Sequence, residues 1–368
     1  MDSNLPSGRI VTVDKLGFHV DRIVGYSNGT AVFPITLELD LTTACSRHCP
    51  GCATILRPSV PALDQSFIHN LLSFFSVNTR GLLLAGGEPT LAATFSTTLR
   101  SAKQLGFENI AVISNGAHLE DDRVIEALTT YATSVRISIN NADPVEYGRS
   151  FGCDPSELKR ILKALERLRY KVERDKSNLE IGVASLTQPN NAEELSALVG
   201  HARSSGAHWL YFHPYCSGWE IGEAAMVDQE AILGYLKNIM SSSSEDFPII
   251  LFEERYAKTP VSFTSYHAAF FLLMIGADKR IYLGAETKYQ PRYEVFDLSD
   301  WRGENFLNNP NFRRNIHSFS SNNYRPLSSR GRGVLYSQII DDVICGRLSE
   351  LELASKGRNL NLKHVHIL

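Results

Sequence analysis

A chain of 368 residues with 43% hydrophobic and 21% charged side chains has enough apolar material for a barrel-sized core and one appendage, which excludes a low-complexity or fibrous protein. Its net charge of -3 gives no global attraction for polyanions, so a nucleic-acid partner is disfavoured. Met1 is followed by Asp2-Ser3-Asn4-Leu5-Pro6 without the basic and apolar regions of a secretory signal, and the apolar run Ala268 to Ile275 is too short to span a bilayer, so no membrane is expected. Six cysteines, three of them in one motif, are not a disulfide framework, and a reducing cytoplasm suits them.

Taken in order, residues 1–33 carry Arg9 to Val13 and Asp21 to Tyr26 around the turn formers Ser27-Asn28-Gly29, which predicts a short strand or hairpin. This stretch is too short to be expected to form a separate folded domain. Over 34–245 the pattern strand, loop, helix repeats with short connections, which predicts parallel strand-helix units. Strands are expected at Pro34 to Leu41, Gly81 to Ala85, Ile110 to Ser114, Val135 to Ile139, Leu179 to Leu186 and Trp209 to His213. Helices are expected at Leu63 to Phe75, Leu91 to Leu105, Asp121 to Thr130, Pro155 to Arg174, Ala192 to Ser204 and around Gln229 to Met240. Glu38 and Asp40 alternate with apolar neighbours, so both point to one face of the first strand. Ser241 to Ser244 reads as a linker into a second unit over 246–368, in which Ser329 to Gly333 reads as a basic surface loop.

The chemistry is concentrated in Cys45-Ser-Arg-His-Cys49-Pro-Gly-Cys52. Thiolates spaced C-x3-C-x2-C can hold three irons of a [4Fe-4S] cube and leave the fourth open. They could instead begin a structural zinc site, closed by His48 or a distant cysteine. Downstream, Leu82 to Ala85 reads as a buried strand running into Gly86-Gly87-Glu88, where missing side chains let backbone approach a ligand that a Cβ would push away.

This pair of motifs resembles the radical S-adenosylmethionine (radical SAM) enzymes. The resemblance implies an α/β fold, a partial (β/α)6 TIM-like barrel with a small α+β C-terminal domain, and chemistry at the C-terminal ends of the strands. It also implies that S-adenosylmethionine chelates the open iron and that one electron then releases a 5'-deoxyadenosyl radical. Gly86, Gly87 and Glu88 match the positions that bind the cofactor's methionine end, and Asn115 in Ser114-Asn115-Gly116 is similar to the family's Thr-Asn-Gly. Ser138 and Asn140 match the ribose contacts, and Gly182 and Leu186 fall where the family approaches methionine and adenine. Gly51 departs from the pattern, because the family usually has a bulky residue there for adenine.

Residues 278–283 and 311–316 are similar to the hairpin and closing helix of the SPASM or twitch domain, but its cluster cysteines are missing. One cluster is therefore expected. Without a second to accept an electron, a redox-neutral outcome is favoured: epimerisation, elimination or rearrangement. Cys216 after the sixth strand, or less directly Cys153, could return a hydrogen atom to a carbon radical. The expected partners are a small polar metabolite, such as a sugar, nucleoside or aminoglycoside-like substrate, and a reductase such as flavodoxin or ferredoxin. Peptide modification, a dehydrogenase, and a non-catalytic iron-sulfur or zinc protein are the alternatives.

Overall fold

The computed structural model describes residues 12–50, 52, 54–187, 189–215, 230–256, 261–324, 331–358 and 363–368. Ahead of the first strand the chain is helical, with a 3-10 turn over Val13–His19 running into helix α1, Val20–Ser27. The expected extended conformation of Asp21 to Tyr26 is thereby corrected. Ile23 and Tyr26, one helical turn apart, are the buried pair, and Tyr26 packs on Phe270 and Phe271. A six-residue stretch is too short to separate a period of two from one of 3.6.

From Thr36 the expected alternation follows. Strands β1 (Thr36–Asp40), β2 (Gly81–Ala85), β3 (Asn109–Ser114), β4 (Ser134–Ser138), β5 (Glu180–Thr187) and β6 (Trp209–Pro214) pair in parallel in chain order. Between them run α2 (Gln65–Phe75), α3 (Phe95–Gln104), α4 (Asp122–Tyr131), α5 (Pro144–Phe151), α6 (Ser156–Arg174) and α7 (Leu195–Ser204). The carboxylates of Asp64, Asp121 and Asp143 accept backbone N–H groups at the starts of α2, α4 and α5, which fixes where those helices begin.

The sheet is wider than the six expected strands. After α8 (Glu230–Ile239), β7 (Ile249–Leu251) adds in parallel beside β6, and β8 (Leu272–Ile275) adds in parallel beside β1. Strands β9 (Arg280–Tyr282) and β10 (Glu294–Asp297) continue antiparallel, giving the order β10-β9-β8-β1-β2-β3-β4-β5-β6-β7. Ser241 to Ser244 is a tight turn and not a spacer, since the Ser243 and Ser244 hydroxyls accept the N–H groups of Ile249 and Phe247. Helices α9 (Pro310–His317), α10 (Arg332–Ile344) and α11 (Glu350–Arg358) complete the described elements. No helix among the described residues is long and apolar enough to cross a membrane.

Alternation along the strands sorts the side chains. Leu37, Leu39, Leu82, Leu84, Val135, Ile137, Leu210 and Phe212 belong to the large core shared with the helices. Their neighbours on the opposite face, Glu38, Ala85, Ile113, Arg136, Ser138, Leu186, Tyr211 and Met274, all line one cavity. Residues from seven strands can share a cavity only if the sheet curls around it, so the architecture is a partial barrel.

Its floor is closed by residues 363–368 and the segment before α1. The Lys15 ammonium donates to the carbonyls of His364 and Ile367 at 3.0 and 2.7 Å. The Thr36 hydroxyl donates to His366 O at 2.7 Å. Glu180 on β5 accepts from Lys363 and from His364 Nε2, the latter at 3.1 Å. Burial alone would raise its pKa, but these partners outweigh it and bring the carboxyl down to about 2. A depressed carboxyl contributes stability above its ordinary value near 4.5 and loses it as pH falls through about 2. Between pH 6 and pH 2 the wild type should therefore lose on the order of 2 kcal/mol more than Glu180→Gln, Lys363 being half-exposed. Equal acid sensitivity of both proteins in thermal melts would show that the floor contact contributes nothing.

Candidate active site

The cysteine loop leaves the C-terminal end of β1 and is clasped by the end of β2. Gly87 N–H donates to Thr42 O at 3.0 Å, and Glu88 N–H to Ala44 O at 2.8 Å. The glycines permit this approach: a Cβ on Gly87 would stand 2.2 Å from Ala44 O, and Gly86, at φ +110°, would place one 2.8 Å from Asp40. Both glycines also line the cavity, next to Cys45, Cys49 and Cys52.

The three thiols are unbridged and partly buried. Asn115 Nδ2 donates to Cys45 Sγ at 3.7 Å, and Arg57 Nη1 to Cys52 Sγ at 3.6 Å. Burial first, and then the neighbouring thiols of Cys52 and Cys45, push the Cys49 pKa up to about 12. The three unbridged thiols and the bare backbone beside them line one cavity of about 270 Å³, and three thiolates are the donor set of a [4Fe-4S] group with one open iron. His48, the candidate fourth zinc ligand, is exposed and lies against Gly152, away from the cavity lining.

Of the other expected site residues, Asn115, Ser138, Asn140 and Leu186 reach the same cavity from the ends of β3, β4 and β5. Asn140 Oδ1 accepts Leu186 N–H at 3.0 Å, which locks these two strand ends together. Glu88 is fully buried and turned away from the cavity. Its carboxylate accepts from the Ser114 hydroxyl at 2.8 Å, Asn115 N–H at 2.7 Å and the Thr90 hydroxyl at 2.6 Å, so it orients Asn115. Gly182 is a correction: a Cβ there would meet the Trp209 ring at 2.1 Å, so this glycine makes room for an indole inside the barrel and not for a cofactor. Cys216 lies outside the described residues. Cys153 packs behind the loop against the hydrophobic core and does not line the cavity, and Cys345 is exposed at the end of α10.

Part of the cavity wall is charged. Lys288 Nζ donates to Glu38 Oε1 at 2.8 Å and Asp40 Oδ1 at 2.7 Å, and Tyr289 OH to Asp40 Oδ2 at 2.7 Å, all four residues being buried. Burial would lower the Lys288 pKa, but Asp40 and Glu38 outweigh it and hold the ammonium charged. Burial, countered by Lys288 and reinforced by Glu38, leaves Asp40 above the usual carboxylate range. Glu286 lines the same wall and accepts from Tyr324 OH at 2.6 Å. Arg136, Arg255 and Arg332 line it too. Arg332, expected on a surface loop, is instead the first residue of α10 at the cavity wall. Period-two alternation placed Glu38 and Asp40 on one face and would have placed Arg136 with Ser138. No local signal pointed to Lys288, Glu286 or Arg332.

The model of the Radical SAM superfamily matches residues 39–183. Among curated proteins, the chain is 28% identical over 179 residues to the sporulation killing factor maturation protein SkfB of Bacillus subtilis, covering 47% of this chain and 41% of that protein. It is 24% identical over 216 residues to the AdoMet-dependent heme synthase of Methanosarcina barkeri, covering 57% and 60%. The chain thus spans between two fifths and three fifths of the curated relatives it matches. Among solved structures, Streptococcus suis SuiB bound to S-adenosylmethionine superposes with a TM-score of 0.61 at 14% identity over 78% of this chain and 68% of that one, a likeness of fold.

Proposed function

We propose, from the premise that residues 39–183 belong to the Radical SAM superfamily, that this chain is an enzyme that takes a hydrogen atom from a polar substrate seated in the barrel cavity. The observation that carries the reading is the wall where three unbridged thiols adjoin the bare backbone of Gly86 and Gly87. Cys45, Cys49 and Cys52 would hold three irons of one [4Fe-4S] cluster, and Gly86, Gly87, Asn115, Ser138, Asn140 and Leu186 would surround S-adenosylmethionine. When bound, these groups supply a one-electron cleavage that yields the 5'-deoxyadenosyl radical.

The chain's own residues have three tasks. The Asn115 amide and the Arg57 guanidinium donate to sulfur atoms, which tunes the potential at which an external reductase such as flavodoxin or ferredoxin can deliver an electron. Glu88 holds Asn115 in place. The charged wall orients the substrate. A cavity of about 270 Å³ with charged and hydroxylic lining suits a small polar metabolite, and a redox-neutral outcome follows from the missing ligand spacing of Cys153, Cys216 and Cys345. A second reading, modification of a peptide, is favoured by the likeness to SkfB, whose name records maturation of a killing factor.

Anaerobic reconstitution with iron and sulfide tests the proposal. About four irons per chain and release of 5'-deoxyadenosine on reduction with S-adenosylmethionine are expected, both lost when Cys45, Cys49 and Cys52 are all replaced by Ala. One zinc and no cofactor cleavage would overturn it.

A further inference from the structure

Besides Arg47, which is paired with Glu157, three guanidinium groups line the cavity: Arg136 on β4, Arg255 in the turn after β7 and Arg332 at the start of α10. Arg255 is buried and donates to Tyr211 OH at 2.5 Å, and Arg332 donates to Leu368 O at 2.5 Å, which leaves the half-buried Arg136 as the group to explain. It has no ion pair among the described residues, its Nε has no hydrogen-bond partner, and the Tyr211 ring lies 5.9 Å from its guanidinium carbon. The charges that face it are Arg332 and Arg255, of its own sign, and Glu38. Glu38 is already held by Lys288 at 2.8 Å. The other carboxylate on the wall, Glu286, is engaged by Tyr324 and Tyr266. One water in the small cavity of about 40 Å³ that Arg136 shares with Trp209 would satisfy Arg136 Nε and the equally unpartnered Trp209 Nε1. Being neutral, that water leaves the charge uncompensated.

A half-buried guanidinium beside two others of its own sign is unfavourable until an anion joins it, and its fork geometry suits two oxygens of one group. We infer that the substrate carries an oxyanion, a carboxylate or a phosphate, which Arg136 grips beside Arg332. The inference rests on the proposed function in taking the cavity as the substrate site. It narrows the substrate class to anionic metabolites and gives Arg332 a role in the interior.

The test uses the reconstituted protein with S-adenosylmethionine bound, titrated with inorganic phosphate or with acetate against chloride at equal ionic strength and read by melting temperature. At least one oxyanion should stabilise the wild type beyond chloride, phosphate alone pointing to a phosphate ester, acetate alone to a carboxylate, and both to the shared seat. Arg136→Gln should weaken that response about tenfold or more, as loss of a charge-assisted fork predicts. Arg136→Lys, which keeps the charge and loses the fork, should weaken it by a smaller factor and serves if the Gln variant does not fold. Equal titration curves for wild type and either variant, or no stabilisation beyond chloride, would overturn the inference. The two failures separate: loss of cofactor cleavage with the anion response intact would remove the radical chemistry alone, and the converse would remove the anion seat alone.

Discussion

Gly87→Ala is expected to lose most of the bound iron and the affinity for S-adenosylmethionine together. The added Cβ would stand 2.2 Å from Ala44 O and 2.7 Å from Thr43 O, and both are backbone atoms of the segment that leads into Cys45. Neither can swing aside as a flexible side chain would, so either the end of β2 or the start of the cysteine loop must shift, at a typical overpacking cost of about 1–3 kcal/mol. The hydrogen bonds from Gly87 and Glu88 to Thr42 and Ala44 lie in the path of either shift. A glycine that served only a ligand would give a different outcome, with iron retained and cofactor affinity lost. Iron analysis and calorimetry on one preparation distinguish the two, and a variant with full iron and unchanged affinity would contradict both.

Lys288→Met should lower the melting temperature by roughly 5–10 °C, because it leaves Glu38 and Asp40 buried without their cation, a loss of about 3–5 kcal/mol. The three side chains are no more than 4% exposed, so solvent cannot take over the role of the ammonium. Combining Lys288→Met with Glu38→Gln and Asp40→Asn should recover much of the loss, since neutral amides need no counter-ion. If the single variant melts with the wild type, water reaches the group and the charged wall is softer than its geometry implies.

How far the sequence was legible follows from the range of each interaction. The runs Gly81 to Ala85 and Trp209 to His213 are short, apolar and bounded by turn formers, so their strands were readable to within a residue or two. The thiols and glycines were readable because each motif is contiguous. Lys288 was not, since it meets Asp40 across 248 positions and nothing near it in the chain announces a buried partner. Arg332 was misplaced for the same reason: the basic, glycine-rich stretch around it has a loop's composition, and only tertiary packing shows that α10 begins there at the cavity wall. Gly182 was misassigned because its neighbour is the ring of Trp209 on the next strand. Strands β7 and β8 were missed as barrel members because a run of three or four residues carries little periodicity.

The place of β1 between β2 and β8 bears on how the molecule is made. Its partners Gly81 to Ala85 emerge from the ribosome soon after it, but Leu272 to Ile275, which pair with Thr36 to Leu39 on the other side, are synthesised more than two hundred residues later. Through most of translation the nascent chain therefore presents an open strand edge bearing Leu37 and Leu39, an invitation to pairing between neighbouring chains. The unpaired edge also adjoins the cysteine loop, so oxidation of Cys45, Cys49 and Cys52 competes with iron loading for as long as synthesis of the second half continues. Slowed elongation or a shortage of chaperones should consequently reduce the yield of iron-loaded protein before it reduces the yield of polypeptide.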